Sequence, residues 1–236
     1  MTPRTLLDLG RVSNLPTIWT NVLAGAVLSR GSLDATSLVL VGAAASLLYV
    51  GGMFLNDGFD RHFDARLRPE RPIPAGHASA GQVFAIGFAL LAGGVMLVGV
   101  VSRLRVPALG AQSPGWAPGV AACALAALII FYDAFHKGNP LSAVVMGLCR
   151  AALYGMAAVT FGTVTTEVAV GALLLLIYVV GLTAVARKEA TVPRLRGLVG
   201  RLIAGICLLD ALLIAFMGLP ALAALAALGF PLTLAG

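Results

Sequence analysis

Eight apolar runs punctuate the chain, at Val12–Ser29, Ser37–Leu55, Gly81–Ser102, Ala117–Phe135, Leu141–Phe161, Val168–Ala186, Leu198–Met217 and Pro220–Leu234. A helix needs about 20 such residues to cross a bilayer. The pattern therefore predicts an all-α, polytopic transmembrane bundle of about eight spans, one membrane-embedded domain over residues 1–236. The first and last runs are short, and the last is expected to be a partial span. The first is read as a span and not as a cleavable leader, because Pro16, Trp19 and Asn21 interrupt it and no small-residue cleavage site is evident. Gly and Ala recur within the runs, which suits close helix packing in lipid. Polar chemistry collects in two loops, 55–80 and 187–197. The 103–116 loop and the short 162–167 loop carry little of it.

Composition supports this reading. The chain is 59% apolar and 11% charged, against roughly 25% charged in soluble domains. The sixteen Lys and Arg residues fix an orientation. With a cytoplasmic N-terminus, twelve fall on the cytoplasmic side: Arg4, Arg11, Arg61, Arg66, Arg68, Arg71, Lys137, Arg187, Lys188, Arg194, Arg196 and Arg201. Arg30, Arg103 and Arg105 fall outside, and Arg150 lies within the fifth run. This is a strong positive-inside bias. It predicts a multi-pass protein of the plasma (inner) membrane with both termini and both polar loops cytoplasmic. The net charge of +6 then needs no nucleic acid to explain it. Cys123, Cys149 and Cys207 sit inside spans with no metal-ligand spacing and read as small buried residues.

The most informative stretch is Asn56-Asp57-Gly58-Phe59-Asp60-Arg61-His62-Phe63-Asp64. If the second span continues as a helix past Leu55, Asn56, Asp60 and Asp64 at i, i+4 and i+8 project from one face. Oxygen ligands at that spacing suit a hard cation such as Mg²⁺ shared with diphosphate oxygens. Arginines follow at once, at Arg66, Arg68 and Arg71, and the guanidinium fork fits phosphate. Acids that hold a metal, followed by arginines that hold an anion, describe a site for a metal–diphosphate complex.

The pattern Asn56-Asp57-x-x-Asp60-Arg61-x-x-Asp64, then Arg71-Pro72-Ile73-Pro74-Ala75-Gly76, resembles the first aspartate-rich motif of UbiA-family intramembrane prenyltransferases. The resemblance implies a helical bundle with a lipid-facing chamber. It implies Mg²⁺-dependent transfer of a prenyl group from a prenyl diphosphate to a small acceptor, often aromatic. It makes Asn56, Asp60 and Asp64 metal-site residues and Arg71 the loop arginine. Tyr132 followed by His136 and Lys137 partly matches the family's Tyr, Lys and Arg at the end of the fourth span, with Lys137 placed to neutralise diphosphate or to anchor the helix at the interface. At the end of the sixth span the family has a second pair of aspartates. Here Arg187-Lys188-Glu189 stands instead, with Pro193 where a carboxylate would fall. Arg187 and Lys188, with Arg194, are expected to bind diphosphate, and Glu189 to be a lone metal ligand or the acceptor's base. The same replacement, with the opening Leu9–Thr17, is similar to the EboC-like branch, which implies a cyclitol or sugar-like alcohol as acceptor.

Two intramembrane features remain open. Arg150 either reaches the diphosphate or pairs with Asp210 of the seventh run. Asn14, Thr17 and Asn21 form a polar stripe that either binds the acceptor or joins helices. Outside the prenyltransferases, the interval from Asp57-Gly58 to Ala65-Arg66 is wrong for CDP-alcohol phosphotransferases. A non-enzymatic transporter would need ionisable groups in several spans or an inverted repeat, and a divergent family member with altered activity is the other alternative. Acceptor, chain length and oligomeric state are not encoded legibly.

Overall fold

A computed structural model describes residues 1–109, 115–189 and 197–235, with the side chains of 106–109 and 189 outside the description. Among the described residues the regular structure is helical throughout. α1 (Pro3–Gly10) opens with Thr2, whose Oγ1 accepts the Thr5 N–H at 3.2 Å, an N-cap that satisfies an otherwise orphaned donor. A single 3₁₀ turn, Val12–Asn14, leads into α2 (Leu15–Leu28), with Pro16 in its first turn where a missing N–H costs nothing. The long helices are α3 (Ala35–Leu67), α4 (Ala80–Leu109), α5 (Ala117–Phe135), α6 (Ser142–Phe161), α7 (Thr166–Glu189) and α8 (Leu198–Phe216). All six are long and apolar enough to cross a membrane.

The two runs expected to be short are short. α2 has fourteen residues, about 21 Å at 1.5 Å per residue. The last run divides into α9 (Pro220–Ala227) and α10 (Gly229–Ala235). Pro231 cannot donate to the Ala227 carbonyl, so a single continuous helix would lose a bond there.

α3 positions the site. Asp34 caps it by accepting the Ser37 N–H at 2.7 Å. Its 33 residues span about 50 Å, well beyond a hydrocarbon core of about 30 Å. The helix does continue past Leu55, and the segment from Asn56 to Leu67 forms its overhanging end. α4 packs along α3 so closely that a Cβ on Gly51 would lie 2.9 Å from the Gly87 carbonyl oxygen. α2 lies equally close to α6, where a Cβ on Gly25 would come within 2.8 Å of the Tyr154 oxygen. Glycine at both points lets backbones touch.

The helices alternate in direction, so the C-termini of α3, α5 and α7 and the N-termini of α2, α6 and α8 share one face. α10 returns to the 3₁₀ turn beside α2, bringing the C-terminal helix to that face as well.

The opposite face is closed by Arg105. As a sequence it reads as a plain outer charge; the structure buries it, 3% exposed. Its guanidinium donates to the Thr160 carbonyl at 2.9 Å, to Phe161 O at 3.4 Å, and to the Ser32 carbonyl and Asp34 carboxylate. It also lies 4.5 Å over the Phe161 ring. One side chain thus caps the last carbonyls of α6 and ties them to the loop before α3. The Ser37 N–H, and further the Arg105 charge, hold the Asp34 carboxyl below its usual range despite the opposing effect of burial.

Candidate active site

The overhanging end of α3 carries its acids inward. Asn56, Asp57, Asp60 and Asp64 are all buried, at 8, 4, 6 and 2% exposure. Tertiary cations meet most of them. Asp57 receives Arg11 at 3.2 Å and Arg71 at 3.3 Å. Asp60 receives Lys137 at 2.8 Å and His136 at 3.4 Å, both from the end of α5. Lys137 also sits 4.1 Å over the Phe63 ring. Burial would lower the pKa of the His136 imidazole, but the hydrogen bond and charge of Asp60 outweigh it and hold it above its ordinary value. Asp64 is different: its Oδ1 is buried with no partner.

These groups surround a polar cavity of about 680 Å³. Its walls include Arg11, Asn56, Asp60, Arg68, Arg71, Tyr132, Lys137 and Arg187. Arg187 is held by Ser142, its NH2 donating to Oγ at 2.5 Å. Tyr132 stacks on His136, with centroids 4.9 Å apart. It also belongs to a second, apolar chamber of about 80 Å³ between α2, α3, α5 and α6. Ile18, Leu48, Met53, Leu125, Met146 and Leu153 form most of that wall, with Tyr49, Asp133 and Arg150 as its polar members. A basic mouth and a dry chamber therefore meet at one phenol.

Several expectations change. Arg66 is exposed and lies outside the cavity wall; at about 100° per residue it points nearly opposite to Asp64, and Arg68 takes its expected place. Lys188 is exposed and does not belong to the wall either, whereas Arg187 does. The side chain of Glu189 and the whole of Arg194 lie outside the described residues. Arg150 lines the apolar chamber and not the diphosphate-sized mouth. It does not touch Asp210 directly. Its NH1 donates to Asn21 Oδ1 at 2.9 Å and Thr17 Oγ1 at 3.2 Å. Asn21 Nδ2 passes the connection to Asp210 at 2.8 Å, and the Tyr154 hydroxyl donates to the other carboxylate oxygen. Asn14 Nδ2 donates to the Tyr49 hydroxyl at 3.2 Å. The polar stripe of α2 thus joins helices behind the chamber, and none of its three members lines either cavity.

Sequence reasoning gives Arg11 and Asp133 no place in the site, and names Asp57 and His136 within motifs without a contact; the structure pairs Arg11 with Asp57, His136 with Asp60 and Asp133 with Asn56. Asp133 could have been found, since it is a carboxylate inside the fourth apolar run, a position that marks function by default. Arg11 carried no such signal.

The donor set can be tested against Mg²⁺. Among the described residues no three His, Cys, Asp or Glu side chains converge as a ready metal cluster. Asp60 is satisfied by cations instead. Yet Mg²⁺ requires only one or two carboxylates when phosphates and water complete its shell. Asp60 on the cavity wall and Asp64, one turn away and buried behind that wall with Oδ1 unpartnered, supply that number. The residues fit an ion that arrives with the diphosphate.

The profile of the UbiA prenyltransferase family matches residues 16–235. A digeranylgeranylglyceryl phosphate synthase from Methanopyrus kandleri is 31% identical over 145 residues, covering 61% of this chain and 48% of that protein. The enzyme of that name from Natronomonas pharaonis is 33% identical over 160 residues, covering 66% and 53%. The chain thus matches about half the length of these curated relatives. A solved structure of digeranylgeranylglyceryl phosphate synthase superposes with a TM-score of 0.64 at 18% identity, covering 98% of this chain and 94% of that one, a likeness of fold.

Proposed function

This chain belongs to the UbiA prenyltransferase family, and from that premise we propose that it binds a prenyl diphosphate with Mg²⁺ in the polar cavity and transfers the prenyl group to a small acceptor. The observation that carries this reading is the junction at Tyr132, where a basic mouth meets a dry apolar chamber. Arg68, Arg71, Lys137 and Arg187 face the leaving diphosphate as the bond from C1 to oxygen breaks, and fixed cations act where that charge develops. Asp60 and Asp64 would hold Mg²⁺, which when bound neutralises the same oxygens. The Tyr132 face favours the allylic cation, and the apolar walls exclude the water that would quench it. The acceptor then bonds C1 and loses a proton. A long isoprenoid exceeds the 80 Å³ chamber, so its tail lies against lipid. We place the polar face in the cytoplasm of an inner-membrane protein, by the charge bias.

The direct test is mass spectrometry of lipid extracts from proteoliposomes given mixed prenyl diphosphates and candidate acceptors, with and without EDTA. A prenylated product that EDTA suppresses is the expected result. Full transfer in EDTA refutes the Mg²⁺ role, and no diphosphate release from any donor refutes the reading as a whole.

Arg187 separates catalysis from topology. Arg187→Gln should lower turnover by about 100-fold and weaken diphosphate binding, with orientation unchanged because many cytoplasmic charges remain. Lys188→Gln, outside the cavity wall, should cost less than about tenfold. If Arg187→Gln leaves affinity and turnover intact, this arginine serves orientation alone.

A further inference from the structure

Asp60 has two claimants. In the reading above it holds Mg²⁺; in the structure its Oδ2 lies 2.8 Å from Lys137 Nζ and its Oδ1 lies 3.4 Å from His136 Nε2. A carboxylate keeps Mg²⁺ at about 2.1 Å, and an ammonium on the same group repels it. Metal and lysine therefore exclude each other at Asp60. The other acid–base group of the mouth poses no such conflict. Asp57 lies off the cavity wall, so its pairs with Arg11 and Arg71 aim those arginines and stay out of a ligand's reach.

Lys137 is built to move. Its side chain is 42% exposed, against 8% for Asp60. It stands two residues past the end of α5, before Gly138 with a φ of 70°. An ammonium on a four-carbon stem swings easily, whereas a guanidinium acts as a fixed planar fork. His136 contrasts with it: Nδ1 donates to the carbonyls of Tyr132 and Asp133 at 3.2 and 3.1 Å, and the ring stacks on Tyr132. A destination for the lysine is at hand. Arg68 and Arg187, on the same wall, meet no carboxylate among the described residues. A diphosphate landing on them comes within reach of Lys137.

We propose, resting on the prenyltransferase reading above, that Lys137 is an internal stand-in for the metal. It neutralises Asp60 until Mg²⁺ and diphosphate enter together, and then passes from the carboxylate to the diphosphate. The exchange breaks one ion pair and forms two, Asp60 with Mg²⁺ and Lys137 with a phosphate oxygen. Either half alone is unfavourable. Mg²⁺ without diphosphate must displace Lys137 with no anion to receive it, and a metal-free diphosphate finds Lys137 already paired. The mouth thereby selects metal-bound diphosphates over free divalent cations and over metal-free polyanions.

The test uses the full chain in detergent and reads Mn²⁺ binding by electron paramagnetic resonance, with no donor added. Lys137→Met removes the charge and keeps the length. It should bind Mn²⁺ about tenfold more tightly than wild type. Lys137→Arg should stay near wild type, and adding Asp60→Asn to Lys137→Met should erase the gain. In proteoliposomes with geranylgeranyl diphosphate and Mg²⁺, Lys137→Met should raise the donor KM for diphosphate release about tenfold. Opposite signs for metal and donor mark the exchange. A lysine that only anchors the helix end moves neither, and one that serves diphosphate alone weakens the donor without tightening the metal. Equal Mn²⁺ affinity in wild type and Lys137→Met overturns the proposal, as does a gain that survives Asp60→Asn. An unchanged donor KM overturns the transfer to diphosphate. No diphosphate release from the wild type removes the prenyltransferase reading, and the Mn²⁺ comparison then decides by itself whether Lys137 guards Asp60.

Discussion

Asp64→Asn should abolish prenyl transfer, with turnover down by about a thousandfold, while the protein unfolds at the same temperature or higher. The two halves of that expectation come from one observation. Asp64 is 2% exposed and its Oδ1 has no partner. A buried carboxylate with an oxygen left unpaired weakens a fold, so a neutral isostere relieves it; a group kept for packing or pairing would give the opposite sign. Asp60→Asn should lose activity comparably, but for a mixed reason. It removes a metal ligand and also releases Lys137 and His136, which Asp60 holds at 2.8 and 3.4 Å. Its effect on donor KM should therefore exceed that of Asp64→Asn. Steady-state kinetics beside thermal unfolding in detergent separates these outcomes. Activity within tenfold of wild type in Asp64→Asn would remove this carboxylate from the mechanism.

The largest loss of stability should come from the far face. Arg105→Gln withdraws the donors that serve the Thr160 and Phe161 carbonyls, the Ser32 carbonyl and Asp34. Leaving several of these unsatisfied should cost roughly 3 kcal/mol. Arg105→Lys should recover less than half, because a single ammonium cannot span acceptors set around a planar fork. Denaturation midpoints in a fixed detergent measure this, with donor affinity as the control. If Arg105→Gln unfolds like wild type, the arginine is the simple outer charge that its place in the sequence suggests.

The spans were legible because hydropathy reports burial in lipid directly. α5 runs over Ala117–Phe135, the very limits of the apolar run. The continuous helix through Asp64 was legible from the spacing of Asn56, Asp60 and Asp64. What stayed hidden were partners far apart along the chain. Asp57 meets Arg11 from 46 positions away and Asn56 meets Asp133 from 77. No local pattern records such pairings. Arg105 shows the same limit: sequence placed it on the outer side, but its role depends on α6 carbonyls 55 and 56 positions on. Arg150 was recognised as important, with diphosphate or Asp210 as its expected partner; the structure places it on the apolar chamber and links it to Asp210 through Asn21, because periodicity gives a face of a helix and not the depth of a pocket.

The clasp at Arg105 also bears on how a cell can tolerate such a protein. The mouth and chamber open the bundle from one face to its middle, and a matching entry from the other side would make a pore. Between the chamber and the far face stand Val41, Ala44, Val98, Ala122, Met156 and Phe161, all buried in one apolar cluster, with Arg105 binding the helix ends beyond them. Apolar packing of this kind denies water the hydrogen bonds it would need to pass. The polar mouth and the chamber behind it thus stay sealed from the far face of the bundle by packed apolar side chains.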